Sequence, residues 1–328
     1  MSAVGRCRSL AEVRQLTSLG QARVQEPRRF CAGDTDQANA LRSISMFVSV
    51  GDVRLFVDVD GAKVVPDGMS MRERPTVILL HGGPGADHTP YKELYAPLTD
   101  VAQLVYYDHR GNGRSEDGPR ERWTLDQWAD DLRALCDVLG IEHPVVFGES
   151  FGGIVALNYA LRHQDHPGKL VLSSTATRLR RDRALAMFER LGGPDVRAVA
   201  ERFFAEPTAE NLDEYRQVCG PFYTQRTSAP EIRARITRRP EVAEHFFGGE
   251  SLRFDLTDRV RQLRCPVLLL AGELDPVVTH EDSEELAAAL PADRLRFVRF
   301  PDAGHMLAVE QPEQVLSLIR EFMLDQPH

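Results

Sequence analysis

Ser150 lies at the centre of a Gly-x-Ser-x-Gly pattern, residues 148–152, which is typical of a serine that acts as a nucleophile. A short β-branched and aromatic run, 145–147, precedes the pattern, and an apolar run of helical character, 154–160, follows it. A strand that turns this tightly into a helix strains the serine backbone, so only small residues fit two positions before and after it. The turn holds the hydroxyl clear of the sheet, and the helix N-terminus behind it favours developing negative charge. The pattern predicts nucleophilic chemistry at Ser150, with a chance match in a chain of 24 glycines as the alternative.

A serine hydroxyl reacts only when a base takes its proton and a third group orients that base. Of the ten histidines, His305 has the most suitable setting. It follows a predicted strand and the short turn 301–304, and it precedes a predicted helix, 312–323. This context puts His305 at the carboxyl edge of the last strand, so it is the predicted base. His109 and His245 are more distant alternatives.

The acid of such a group is expected after a strand and, in chain order, between the serine and the histidine. The apolar run 267–270 is followed by two candidates, Glu273 and Asp275. We prefer Asp275 because Pro276 fixes the turn in which it lies, and Glu273 remains the alternative. For each carboxylate, capping of the turn is the purely structural interpretation.

The negative oxygen that forms during acyl transfer needs backbone N–H donors. One donor is expected from Phe151, the residue after the serine and the first of its helix. The second is expected from the glycine-rich loop 80–85, which follows an early strand and lets the backbone approach a substrate closely. No Gly-Lys-Ser/Thr follows this loop, so it does not match a phosphate-binding loop. Its His81 is predicted to have a structural, hydrogen-bonding role.

Continuous apolar runs predict strands that are buried on both faces of a parallel sheet. These runs are 76–80, 104–107, 145–147, 170–172, 267–270 and 295–298. Helical segments such as 128–139 and 281–290 fall between them, which predicts an α/β fold with helices on both faces of a mostly parallel sheet. An antiparallel hairpin that begins at Met46 and turns at Gly51 is predicted before them, and residues 61–75 are predicted to form a loop.

The alternation of strands and helices stops between residues 172 and 267. Residues 177–262 are rich in arginine and helix formers, and they predict a helical insertion, or cap, over the carboxyl edge of the sheet, where α/β folds bind ligands. The predicted core therefore has two parts, 46–176 and 263–328. Residues 1–45, with seven arginines and four acidic residues, are predicted to be a disordered extension without a catalytic role, or else a transit peptide.

The composition limits the classes of partner. A content of 42% hydrophobic and 27% charged residues is typical of a soluble globular protein, and the net charge of −9 argues against a nucleic acid or an anionic membrane as partner. No apolar run approaches the roughly 18–20 residues of a membrane-spanning helix. The five cysteines are scattered, so no disulfide framework is predicted and a cytoplasmic location is expected. No His, Asp or Glu cluster has metal-ligand spacing, and neither a metal nor another cofactor is predicted.

Three motifs together resemble those of the α/β-hydrolase fold and, within it, the proline iminopeptidase group of serine peptidases. They are His-Gly-Gly-Pro-Gly at 81–85, Asp-His-Arg-Gly-Asn-Gly-Arg-Ser at 108–115 and Gly-Glu-Ser-Phe-Gly-Gly at 148–153. The resemblance includes 272–276 and 304–306, and it spans residue 46 to the end of the chain. It implies that Gly83 and Phe151 supply the oxyanion donors and that 177–262 is the family's helical cap.

Two positions depart from the proline iminopeptidase pattern. Phe151 stands where Trp usually follows the serine, and His109 stands where Gln is usual. The resemblance also implies that carboxylates of the cap bind the free α-ammonium group of a substrate. The candidates for this role are Glu214, Glu244 and Glu250, each of which is equally consistent with an ordinary solvated glutamate.

The leading hypothesis is a serine hydrolase that releases N-terminal proline from small peptides through an acyl-enzyme. A hydrolase of carboxylic esters, lactones or amides with the same residues is the alternative, and a non-catalytic binding protein on this fold is a third. Dehalogenases and epoxide hydrolases are disfavoured because they use an aspartate where this chain has Ser150. The expected partner is a small molecule or a short peptide, and the sequence does not indicate an oligomeric state.

Overall fold

The computed structural model describes residues 43–226 and 230–325. Its main element is an eight-stranded sheet with the order β1-β2-β6-β5-β7-β8-β9-β10. The strands are β1 (Ile44–Val50), β2 (Val53–Asp60), β5 (Thr76–Leu80), β6 (Gln103–Tyr107), β7 (Val145–Glu149), β8 (Lys169–Ser173), β9 (Val267–Gly272) and β10 (Leu295–Phe300), and β3 (Val64–Asp67) and β4 (Ser70–Glu73) form a separate pair. β2 pairs antiparallel with β1 and β6, and the other neighbours are parallel. The predicted fold class, α/β with a mostly parallel sheet, is confirmed.

Every residue of β5, β7 and β9 is buried, because helices cover both faces of the sheet at these central strands. The α-helices in the described residues are α1 (Thr89–Tyr95), α2 (Leu125–Leu139), α3 (Phe151–Arg162), α4 (Arg181–Gly192), α5 (Pro194–Ala205), α6 (Ala209–Val218), α7 (Pro230–Arg235), α8 (Pro240–Gly248), α9 (His280–Ala289), α10 (Leu307–Glu310) and α11 (Pro312–Leu324). Short 3-10 helices join several of them, including Gly220–Tyr223. Within 43–226 and 230–325, no helix combines the length and the apolar character needed to cross a membrane.

Residues 61–75, predicted to form a loop, instead contain the β3–β4 hairpin, so that prediction is wrong. Every residue of β4 is exposed, and β3 is also largely exposed. A hairpin with no buried face has no need for alternating apolar residues, which is why the sequence pattern does not reveal it. β1 begins at Ile44, two residues before the predicted start, and the predicted extension lies outside the described residues except for its last three positions.

The segment between β8 and β9 holds α4 to α8 and has a small apolar core of its own. Its buried cluster includes Phe188, Phe203, Phe204, Leu212 and Tyr215. This helical segment is joined to the loops of the sheet by backbone hydrogen bonds. The Arg239 amide donates to the Gly85 carbonyl (3.0 Å), and the His305 amide donates to the Tyr223 carbonyl (2.8 Å). The helices therefore lie over the loops that follow β5 and β10.

Arg110, in the 108–115 motif, anchors the loop after β6 to α2. Its guanidinium makes a two-point contact with the Asp131 carboxylate (2.8 and 2.7 Å) and a further contact with Asp52 (2.9 Å). The Trp128 indole donates to the Arg110 carbonyl (3.0 Å). Two residues further on, Asn112 accepts a hydrogen bond from the amide of Gly85 (2.6 Å). The buried ion pair thus also positions the glycine-rich loop.

We expect Asp131→Ala to destabilise the fold strongly. Arg110 is only 1% exposed, and loss of Asp131 leaves its buried charge with Asp52 alone, which is 37% exposed, so we expect a cost that approaches the value for a broken buried pair, about 3–5 kcal/mol. The matched control is Asp137→Ala on the same helix, because Asp137 pairs with Arg133 in solvent and such pairs contribute about 0.5 kcal/mol. The free energy of unfolding in urea measures both effects, and equal losses in the two variants would contradict this account.

Candidate active site

Ser150 forms the sharp turn between β7 and α3. Its backbone has φ 55° and ψ −121°, a region that non-glycine residues rarely occupy. The turn is held by hydrogen bonds from the Ser150 amide to the Ser173 carbonyl (2.9 Å) and from the Thr175 hydroxyl to the Ser150 carbonyl (2.8 Å). A Cβ atom at Gly148 would lie 2.5 Å from the carbonyl oxygen of Gly152, so strand and helix meet too closely for a side chain there. The strained turn predicted around Ser150 is present.

His305 and Asp275 form a buried hydrogen-bonded pair. The Nδ1 atom of His305 donates to Oδ2 of Asp275 (2.7 Å), and the two residues are 3% and 0% exposed. The other carboxylate oxygen of Asp275 accepts from the amides of Val277 (2.8 Å) and Val278 (2.9 Å). Because both oxygens of Asp275 are engaged, the carboxylate is fixed, and it selects the histidine tautomer with its proton on Nδ1. The Nε2 atom of His305 is then the basic nitrogen.

The alternative candidates lie elsewhere. Glu273 is near Arg299 at the surface (3.9 Å) and does not hydrogen-bond to His305. His245 packs edge-on against Trp123 (5.7 Å between ring centroids), beside a separate cavity of about 310 Å³. His109 is buried, and neither of its ring nitrogens has a hydrogen-bond partner within the described residues. The geometry therefore favours His305 and Asp275 over these three.

Acidic neighbours control the pKa of His305. Burial opposes the charged form, but the negative charge of Asp275 and its hydrogen bond outweigh this effect, with smaller contributions from Glu149 and Glu310, so the pKa is raised above 6.5. Glu310 also fixes the loop, since its Oε1 accepts from the Gly304 amide (2.9 Å). The Tyr223 ring, from the helical segment, packs edge-on against the imidazole at 5.1 Å.

Glu149, which the sequence analysis did not single out, is a buried acid directly before Ser150. It is 4% exposed, and its Oε1 accepts a hydrogen bond from the Tyr91 hydroxyl (3.1 Å). The Tyr91 oxygen in turn accepts from the amide of Gly82 (2.9 Å), so Glu149 is coupled to the glycine-rich loop. Burial is the main cause that raises its pKa, against the opposing charge of His305. One signal was available in the sequence, namely a single acidic residue at the end of an otherwise apolar strand.

The glycine-rich loop is held rigidly beside Ser150. The Nδ1 atom of His81 donates to the Gly82 carbonyl (2.8 Å), and its Nε2 accepts from the His109 amide (3.2 Å). His81 thus makes the structural hydrogen bonds predicted for it. Gly83 has φ 132°, within the left-handed range that favours glycine, and lies in the wall of the cavity that contains Ser150.

The two departures from the proline iminopeptidase pattern touch each other. The His109 ring packs edge-on against Phe151 at 5.5 Å, and Phe151 also packs against Trp128 (5.0 Å) and Phe246 (5.1 Å). Phe151 and His109 are therefore parts of one cluster of packed aromatic rings.

Ser150, Phe151, Gly83 and His305 all line a single cavity of about 1280 Å³ between the sheet and the helical segment. No hydrogen bond joins the Ser150 hydroxyl to His305 in the described part of the chain. Aromatic side chains form much of the wall opposite Ser150, namely Phe203, Phe204, Tyr215, Phe222, Tyr223, Phe246 and Phe247. Arginines also line the cavity, and those in the described residues are Arg180, Arg181, Arg216, Arg226, Arg233 and Arg238.

None of the three glutamates predicted to bind an ammonium group lines this cavity. Glu214 pairs with Arg202 on the surface (2.6 Å), and Glu250 accepts a hydrogen bond from the Leu125 amide (2.7 Å) at the start of α2. Glu244 is half-buried on α8, outside the cavity wall. Within 43–226 and 230–325, no three His, Cys, Asp or Glu side chains are grouped closely enough to hold a metal ion.

Comparison with known proteins gives consistent matches. A family model described as alpha/beta hydrolase fold matches residues 75–312. A proline iminopeptidase of Thermoplasma volcanium is 25% identical over 272 residues, which cover 76% of this chain and 89% of that protein. A putative carbamate hydrolase RutD of Caulobacter sp. strain K31 is 30% identical over 272 residues, or 81% of this chain and 96% of that protein. The crystal structure of a proline iminopeptidase from Mycobacterium smegmatis has a TM-score of 0.66 at 24% identity and covers 85% of this chain and 97% of that one.

We expect the His305 imidazole to titrate above pH 6.5, and Glu149→Gln to lower its pKa. The substitution removes a negative charge that faces the ring and keeps the size of the side chain. The matched control is Glu273→Gln, which removes an acid close to Asp275 in the chain but paired at the surface. NMR titration of the histidine resonances measures these values. An unchanged pKa in Glu149→Gln, or an equal fall in Glu273→Gln, would contradict the assignment.

Proposed function

We propose that this chain, which belongs to the α/β-hydrolase fold family, is a serine hydrolase that forms an acyl-enzyme on Ser150. One observation carries the proposal. The hydrogen-bonded pair of His305 and Asp275 borders the same cavity as the strained turn of Ser150. A buried carboxylate that fixes the tautomer of a histidine beside a strained serine is the arrangement that acyl transfer requires.

In the proposed mechanism, the Nε2 atom of His305 takes the proton of Ser150 as its hydroxyl oxygen attacks the substrate carbonyl. The amides of Phe151 and Gly83 donate hydrogen bonds to the resulting oxyanion. Protonated His305 then donates to the leaving group, which departs and leaves the acyl-enzyme. Water, deprotonated by His305, hydrolyses the acyl-enzyme and restores the serine. The bond between base and nucleophile forms fully only when substrate is bound, as is common in such sites.

The surrounding charges suit this cycle. His305 becomes positively charged twice in each turnover, and Asp275, Glu149 and Glu310 all stabilise that charge. The same stabilisation raises the pKa of His305, so more of the histidine is protonated and inactive as a base at low pH. We therefore attribute an acidic limb of the pH profile, with its midpoint above pH 6.5, to this residue.

Two substrate classes remain for this machinery. Release of N-terminal proline is supported by the relatives named proline iminopeptidase, at about the 25% identity of the Thermoplasma volcanium protein. Hydrolysis of a carboxylic ester, lactone or amide is supported by the cavity. The acidic residues that line it within the described chain are Asp87 and Glu149, and both are engaged, Asp87 by Arg114 (2.8 Å) and the Thr237 amide (2.9 Å). A free α-ammonium group would find no unpaired carboxylate there, so the geometry favours the second class.

The test compares two substrates, a prolyl-arylamide and p-nitrophenyl butyrate. We expect ester turnover that Ser150→Ala lowers about a thousandfold or more and Asp275→Asn lowers about 10³-fold to 10⁴-fold. Ser317→Ala, at an exposed serine on α11, is the matched control and keeps full activity.

The outcomes separate the hypotheses. Arylamide turnover that depends on Ser150 and is abolished by N-acetylation of the substrate would favour the aminopeptidase over the ester hydrolase. If Ser150→Ala retains the turnover of both substrates, the acyl-enzyme mechanism is wrong. A folded protein that turns over neither substrate would support a binding protein instead.

A further inference from the structure

We propose that Arg216 and Arg238, in the helical segment over the sheet, bind a carboxylate of the substrate. The substrate would then be an acyl compound with a carboxylate at the end remote from the bond that is cleaved. This assignment of a substrate class rests on the hydrolase activity proposed above.

Positively charged side chains outnumber acidic ones in the wall of the cavity. Its acidic residues, Asp87 and Glu149, are buried and already hydrogen-bonded to protein groups. Two of its arginines are also accounted for by protein partners. Arg180 pairs with Asp182 (3.1 Å), and Arg181 donates to backbone carbonyls such as that of Phe247 (2.9 Å). Arg180 and Arg181 are therefore engaged by the protein itself.

Arg216 and Arg238 both line this cavity, together with Ser150 and His305. Arg216, at the end of α6, is 31% exposed and contacts Asp213 at 3.3 Å. Arg238 lies between α7 and α8 and donates to the Arg233 carbonyl (3.2 Å), and within the described residues it has no carboxylate partner. Burial first, and then the charge of Arg238, lower the pKa of Arg216, against the opposing effect of Asp213, whose side chain is 68% exposed.

Tyr223 connects the part of the wall that carries Arg216 with the proposed base. Arg216 and Tyr223 both line the cavity, and the Tyr223 hydroxyl hydrogen-bonds to Tyr215, the residue before Arg216 in α6 (2.7 Å). The ring of Tyr223 packs directly on His305. The Tyr223 side chain therefore contacts both the proposed base and the helix that carries Arg216, which suits a short acyl chain between the cleaved bond and the carboxylate.

The charge of Arg216, Arg238 and Asp213, taken by themselves, favours a carboxylate over a phosphate. Two guanidinium groups carry two positive charges, and Asp213 supplies one negative charge. A carboxylate adds one more negative charge and neutralises these three side chains. A phosphate monoester would carry about 1.5 to 2 negative charges near neutral pH. Guanidinium groups also match the two oxygens of a carboxylate in geometry.

The experiment compares two esters of the same acyl length, mono-p-nitrophenyl glutarate and p-nitrophenyl valerate. We expect the parent protein to prefer glutarate at least about tenfold in kcat/KM, since hydrogen bonds to charged groups have effects of that size. Arg216→Gln and Arg238→Gln should each lower the glutarate-to-valerate ratio about tenfold. The matched control is Arg202→Gln, because Arg202 pairs with Glu214 outside the cavity, and its ratio should equal that of the parent.

A second readout does not depend on turnover. In Ser150→Ala, free glutarate should raise the melting temperature, and phosphate at equal ionic strength should not. Adding Arg216→Gln should abolish the glutarate shift. If the hydrolase proposal is wrong and the carboxylate proposal is right, ester turnover is absent and the glutarate shift remains. The carboxylate proposal is overturned if the parent shows no preference and no shift, or if both persist when Arg216 and Arg238 are replaced.

Discussion

The close approach of β7 and α3 is the constraint on which the rest of the site depends. Ser150 has no room for ordinary strand or helix geometry, because it is the only residue between the end of the strand and the start of the helix. Its left-handed backbone places the side chain at the carboxyl edge of the sheet and is tolerated only because Gly148 and Gly152 allow the chains to meet. The loops after β5, β9 and β10 reach the same edge because those strands run parallel to one another in one sheet.

Around that turn, buried charges are distributed unevenly. Asp275, Glu149 and Glu310 form an acidic floor around His305, of which Glu149 lines the cavity itself, and the wall formed by the helical segment is basic. The acidic floor favours a positively charged histidine during the proposed reaction, and the basic wall favours an anionic end of the substrate. A substrate with a free ammonium group would be repelled by the basic wall, and the carboxylates near His305 are already hydrogen-bonded to protein groups, although relatives named proline iminopeptidase are about 25% identical.

Features that depend on local sequence could be predicted, and those that depend on packing between helices could not. The resemblance to the α/β-hydrolase fold and the proline iminopeptidase group is confirmed by the matches to known proteins. The turn at Ser150 has a local pattern, and the settings of His305 and Asp275 follow from strand ends. The glutamates of the helical segment have no such signal, because which face of a helix meets the cavity is decided by tertiary packing, and Glu214 faces solvent.

The most direct test of the central claim is reaction with a fluorophosphonate, followed by intact mass and peptide mapping. The account predicts one adduct per chain, on Ser150, with none in Ser150→Ala. It also predicts labelling about a hundredfold slower or more in Asp275→Asn, because the histidine loses the group that fixes its tautomer. An adduct at another residue, or labelling of Asp275→Asn at the parent rate, would contradict the claim that Ser150 is activated by His305 and Asp275.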